Sequence, residues 1–162
     1  MMKKICLLFV LFIMSACGFQ PMFSGQDTDI YVEPISGING IELRNALWAK
    51  FGGQHNADAT YKLTVKLSNP NTQFKALEQT GDATWQEVSM TATYVLTHDG
   101  TQIASGTEQA AESYTFVQYL VASNASYNNA VKNTINVLAE KIGTRTIAET
   151  LKYSRKDKAV AK

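Results

Sequence analysis

Two runs of strict alternation constrain the fold of this chain more than any other feature. From Thr60 to Ser68, the apolar residues Tyr61, Leu63, Val65 and Leu67 interleave with Thr60, Lys62, Thr64, Lys66 and Ser68. From Trp85 to Thr97, Val88, Met90, Ala92, Tyr94 and Leu96 interleave with Ser89, Thr91 and Thr93, and Val95 breaks the pattern. Successive side chains leave a strand on opposite faces, so each run is apolar on one side and polar on the other. A sheet built this way needs a second layer over its apolar face.

Two helical stretches supply that layer. Leu43, Leu47 and Phe51 recur every four residues within Ile41–Phe51, behind a turn in which Asn39 is a candidate cap, and Gly52-Gly53 ends the stretch. Tyr127, Val131, Ile135, Leu138 and Ile142 form one stripe within a helix over Ser123–Lys152, where Gly143 marks a bend or junction. A short strand, Ile30–Ile35, ends at Pro34 or lies at an edge. Asp99-Gly100 predicts a hairpin turn into a weakly patterned edge strand, Gln102–Tyr114, interrupted by Gly106. Asn69–Thr84 reads as a long connection. The expected fold is α+β: a two-layer sandwich of two α-helices on a four-stranded, mixed, mostly antiparallel sheet.

The N-terminus reads as a processing signal. Met1-Met2-Lys3-Lys4 is a positive segment, Ile5–Met14 is apolar, and Ser15-Ala16 are small. Ten apolar residues are too few for a membrane span, which needs about 20. Cys17 follows the small pair directly, as in bacterial lipoprotein signals, where that cysteine is acylated and becomes the first mature residue. The expected organisation is a signal at 1–16, a lipidated tether at 17–29, one domain at 30–152 and a basic disordered tail at 153–162. Gly18, in place of a retaining Asp, favours the outer membrane.

Removing residues 1–16 leaves 146 residues with 13 Lys plus Arg against 14 Asp plus Glu, a formal charge of −1. That balance gives no electrostatic footprint for nucleic acid. Cys6 leaves with the signal and Cys17 takes lipid, so the domain has no cysteine for a disulfide.

No motif for catalysis stands out. His55 and His98 lie in predicted loops without neighbours at metal-ligand spacing, and no nucleophile elbow, phosphate loop or dinucleotide fingerprint is present. The expectation is a non-enzymatic protein with no metal and no cofactor beyond the acyl and diacylglycerol groups on Cys17. Lys62 and Lys66 share the polar face of one strand, about 13 Å apart. They are either a solvated face or a site for phosphorylated lipid. Tyr114, Phe116, Tyr119 and Tyr127 cluster between the last strand and the last helix, as core or as interface.

Three features together resemble the α-proteobacterial form of the LPS-assembly lipoprotein family LptE. Cys17-Gly18-Phe19-Gln20-Pro21-Met22-Phe23 is similar to that family's Cys-Gly-Phe-x-Pro-Leu-Tyr start, with Met22 and Phe23 in place of Leu and Tyr. Ser113-Tyr114-Thr115 precedes Ser126-Tyr127 and a long Ala/Asn/Ile helix. The element order and mature length also fit. The resemblance implies two helices on a four-stranded sheet, a lipid anchor at Cys17 and a place on the periplasmic side of the outer membrane. It implies a plug in the lumen of the LptD β-barrel that helps the barrel assemble and deliver lipopolysaccharide. Lys62, Lys66 and Lys75 are then the candidate lipopolysaccharide contacts. Two alternatives are an accessory binding module of another envelope complex and a hydrolase whose site follows no motif.

Overall fold

The structure, a computed structural model, describes residues 28–77, 83–115 and 120–160. The order is β1 (Ile30–Val32), α1 (Ile38–Phe51), β2 (Tyr61–Leu67), β3 (Asn71–Leu77), β4 (Ala83–His98), β5 (Thr101–Thr115) and α2 (Leu120–Val160). β1 runs parallel to β2, and every other pairing is antiparallel. The expected α+β sandwich is the observed one.

β4 organises the sheet. One of its edges pairs with β5 from Trp85↔Thr115 to His98↔Thr101. The other edge is shared end to end, by β2 over Ala92–His98 and by β3 over Ala83–Ser89. Laterally, the five described strands therefore fill four positions. The break between β2 and β3 falls at Ser68-Asn69-Pro70, where the Ser68 amide still donates to the Thr91 carbonyl at 2.8 Å. Pro70 has no amide proton to continue the ladder.

This corrects one sequence expectation: Asn69–Thr84 is not all connection, because Asn71–Leu77 is strand. The hairpin is the expected one. Asp99 and Gly100 both have positive φ, 48° and 76°, as a two-residue turn with the right-handed twist of its strands requires.

Both helices lie on one face of the sheet. Val88, Met90, Ala92, Tyr94 and Leu96 of β4 are buried beneath them, with Leu63 and Val65 of β2 and Ile30 and Val32 of β1. Leu43, Leu47 and Phe51 of α1 and Val131, Ile135, Leu138, Ile142 and Ile147 of α2 close the core from above. Gly106 breaks the β5 pattern for a packing reason. A Cβ there would stand 2.8 Å from the Tyr94 hydroxyl oxygen, so its absence lets the Tyr94 ring lie across β5. Thr134, Thr146 and Thr150 are buried in α2, and each hydroxyl donates to a carbonyl three or four residues earlier.

Two helix limits differ from expectation. α1 starts at Ile38 behind Gly37, so Asn39 lies inside it and caps nothing. α2 continues unbroken through Gly143 and past Lys152 to Val160, into the stretch expected to be a disordered tail. Gly143 is a contact point, because the stem of Lys50 on α1 occupies the space its side chain would fill. The Lys50 ammonium reaches Glu140 at 2.6 Å and holds that carboxyl below its ordinary range.

Candidate interaction surface

The sheet face opposite the helices carries the polar half of each strand. β2 contributes Lys62, Thr64 and Lys66 to it. β4 contributes Glu87, Ser89, Thr91, Thr93, Val95 and Thr97. β5 contributes Ser105, Thr107, Gln109, Ala111, Ser113 and Thr115. Register fixes this division: Thr93 pairs with both Lys66 and Thr107, and Leu96 with both Leu63 and Ala104. Neither helix covers this face. Its chemistry is mostly hydroxyl and amide, with Val95, Ala111 and the half-exposed Trp85 among the apolar exceptions.

The three candidate lysines lie on this face in a line rather than at one point. Lys62 is opposite Thr97 and Lys66 opposite Thr93, and both are exposed. Lys75 lies on β3 at a register shift, with its ammonium 2.9 Å from Glu87. Between the levels of Lys66 and Lys75 lie about seven residues of β4, or roughly 23 Å. One phosphate cannot bridge that distance, and Lys75 already has a carboxylate partner. Cys17 falls outside the described residues.

The outer edge of β5 is the second element of the surface. The Thr91 amide donates to the Ser68 hydroxyl at 2.9 Å, and the Thr91 carbonyl accepts from Ser68. Thr91 therefore turns its main chain away from β5. Its register partner Gln109 must turn away from β4. The Gln109 carbonyl does point outward, where the Lys141 ammonium of α2 donates to it at 2.7 Å. By alternation, Thr107, Ala111 and Ser113 also present their main chain outward. No proline or lysine interrupts Thr101–Thr115, and among the described residues no further strand pairs with this edge. The inward-pointing Glu108 and Glu112 and the Lys141 bond are what guard it against strand pairing. In the isolated protein, amide hydrogen exchange is expected to alternate along β5. Thr107, Gln109, Ala111 and Ser113 should exchange fast, and Glu108, Ala110 and Glu112 slowly. Uniform protection, read by NMR, would show that the edge is covered.

At one end of the molecule, the chain that follows residue 27 is pinned in place. The Thr60 amide and hydroxyl both donate to the Asp29 carboxylate, holding its pKa below the ordinary range. The Thr28 amide donates to the Phe51 carbonyl. The His98 ring lies between those of Tyr61 and Tyr153, tilted to both, with ring centroids 5.0 and 4.9 Å away. A 260 Å³ hollow beside it is lined by Asp58, Thr60, Lys62, Thr97 and Asp99.

At the other end, Tyr114 is buried and meets the Tyr127 ring edge-on at 5.8 Å. Its hydroxyl donates to Gln86, and burial pushes its pKa up. These two members of the aromatic cluster pack inward. Phe116 and Tyr119 lie outside the described residues. Phe74 and Trp85, which the sequence reading did not single out, are 69% and 50% exposed near this end. Back toward the His98 end, a wide hollow of 480 Å³ between β5 and α2 is lined by Tyr94, Ile103, Arg145 and Glu149.

No protein-family model and no curated protein matches the chain. Solved structures do. Rare lipoprotein B from Shewanella oneidensis superposes with a TM-score of 0.61 at 13% identity, covering 77% of this chain and 98% of that one. A minor lipoprotein from Acinetobacter baumannii gives 0.56 at 22% identity, covering 76% and 95%. Lipoprotein B from Nitrosomonas europaea gives 0.56 at 13% identity, covering 82% and 94%. At these identities the likeness is one of fold: this chain has the fold of several bacterial lipoproteins.

Proposed function

We propose that this protein is a lipid-anchored, non-enzymatic accessory of the outer membrane, on its periplasmic side. In this reading it docks inside the LptD β-barrel, helps that barrel assemble and assists lipopolysaccharide delivery. The observation that carries the reading is the sheet face that the described residues leave uncovered. It is broad, rich in hydroxyls and amides, and flanked by a strand edge with no strand partner among the described residues. A protein that lines a wet lumen needs such a surface, because polar groups there can meet water or partner side chains without desolvating a charge. The signal ending at Cys17 supplies the anchor, and the shared fold of the lipoproteins above agrees with it.

Lys62 and Lys66 remain the candidate contacts for lipopolysaccharide phosphates. Lys75 is the weaker candidate because Glu87 holds it.

The test is a gentle-detergent purification of the tagged protein from its own membranes, with mass spectrometry of the chains that accompany it. A stoichiometric large barrel identifiable as LptD is expected. Its absence from intact, membrane-bound bait would transfer the reading to an accessory of another envelope complex. Cys17→Ala is expected to move the protein out of the membrane fraction, as followed by fractionation and blotting. Unchanged fractionation would remove the anchor from the proposal.

A further inference from the structure

The topology brings three things to one end of the molecule. β1 starts there, since Ile30 pairs with Tyr61 and Tyr61 with His98. The chain entering from residue 27 is fastened there by the bonds of Thr28 and Asp29 described above. α2 finishes there too: it passes Gln109 at Lys141, comes close to Glu108 at Arg145, and reaches His98 at Tyr153. Seven further helical residues follow Tyr153, about 10 Å of helix.

That last stretch is basic. Lys152, Arg155 and Lys156 are spaced i, i+3 and i+4, share one face and are exposed. Lys152 has a loose ion pair with Glu149 at 3.4 Å. From 152 to 162 the sequence holds five cations, with Lys158 and Lys162 the others, and one acid, Asp157. Asp157 follows Tyr153 by four residues and so shares its sheet-facing side rather than the basic face. Asp29, Asp58 and Asp99 are exposed at this same end, so the positive charge is confined to this one face of α2.

We propose that this end of the molecule rests on an anionic lipid surface, with Lys152, Arg155 and Lys156 meeting the phosphates of lipid headgroups. Eleven residues, 17–27, separate Thr28 from the start of the tether, counting Cys17 itself, and span at most about 40 Å. The tip of β4 is roughly 50 Å away along its 16 residues. A lipid on Cys17 can therefore sit in a bilayer that meets the basic end, whereas the tether falls short of a bilayer at the far tip. One acylated residue plus a basic patch is a known physical recipe for firm membrane attachment. The direction of this end rests on the anchor at Cys17, but its attraction to anionic lipid does not.

Residues 28–160 contain every described strand, both helices and the described core, so the chain without its first 27 residues serves as the test body. It would be titrated with vesicles of phosphatidylcholine alone and of phosphatidylcholine mixed with phosphatidylglycerol, at low and high salt. Salt-sensitive binding to the anionic vesicles only is expected. The triple variant Lys152→Gln/Arg155→Gln/Lys156→Gln should weaken it on the order of 100-fold, since each cation near the surface contributes about a factor of five. Its melting temperature should stay that of the parent, because all three side chains are exposed. Equal binding to both vesicle types, no binding to either, or a triple variant that binds as the parent does would each overturn the proposal. Loss of the anchor in the Cys17→Ala experiment would leave this result unaffected, so the two readings fail separately.

Discussion

Leu138→Asp is expected to cost about 4 kcal/mol or more, a large part of the stability of a domain this size. Leu138 has no exposed surface and lies in the α2 stripe with Ile135 and Ile142. A carboxylate there loses water and gains no cation, and marginal domains have only about 5–15 kcal/mol in hand. Its neighbour provides the control. Val137 is 37% exposed on the same turn. Val and Asp have similar intrinsic helix propensities, so Val137→Asp isolates helix chemistry from burial. It should cost no more than about 1 kcal/mol. Urea unfolding of both variants, followed by circular dichroism, reads the difference. Equal midpoints would mean that α2 does not pack through this stripe.

The elements legible in the sequence are those whose burial alternates with the local period. β2 and β4 are half-buried along their length, so Leu63, Val65, Met90 and Leu96 stood out. The Asp99-Gly100 turn needs two positive φ values and leaves a chemical trace. β3 leaves none. Asn71 through Lys75 are all exposed, and the strand is held by main-chain bonds to β4. Backbone pairing does not depend on side-chain type, so no periodicity announces it. The end of α2 escaped for a similar reason. Beyond Thr150 the core no longer selects apolar residues. Tyr153 still packs on His98, and Lys, Arg and Ala, good helix formers, carry the helix onward. Of the candidate surface, period two places Lys62 and Lys66 on the polar side. That neither helix covers this side depends on both choosing the other face, which is a tertiary fact. Lys75 lies on the same face by alternation from Gln73, but in a strand that the sequence does not reveal.

Arg145→Met is expected to destabilise the protein by about 1–3 kcal/mol, and the cause also explains why β5 looked weak. The helix-facing positions of β5 include Glu108 and Glu112 where an ordinary strand has aliphatic residues. Glu108 is only 6% exposed, and its Oε1 is buried without a hydrogen bond. Arg145 Nε stands 2.8 Å from that oxygen. The contact is close but misaligned for a hydrogen bond, so the attraction is between charges. Removing the guanidinium would leave a buried carboxylate with no cation beside it. The arginine itself is 64% exposed, so solvent screens part of the attraction and keeps the loss below that of a fully buried pair. The double variant Arg145→Met/Glu108→Leu removes both charges. It should unfold within about 1 kcal/mol of the parent, because replacing a buried pair by apolar residues is often neutral. The resulting coupling of about 1–3 kcal/mol would be measured by a double-mutant cycle in urea. Additive losses would mean that Glu108 finds its stability elsewhere. A recovered double variant would show that β5 tolerates acids on its covered face because α2 brings a cation over them.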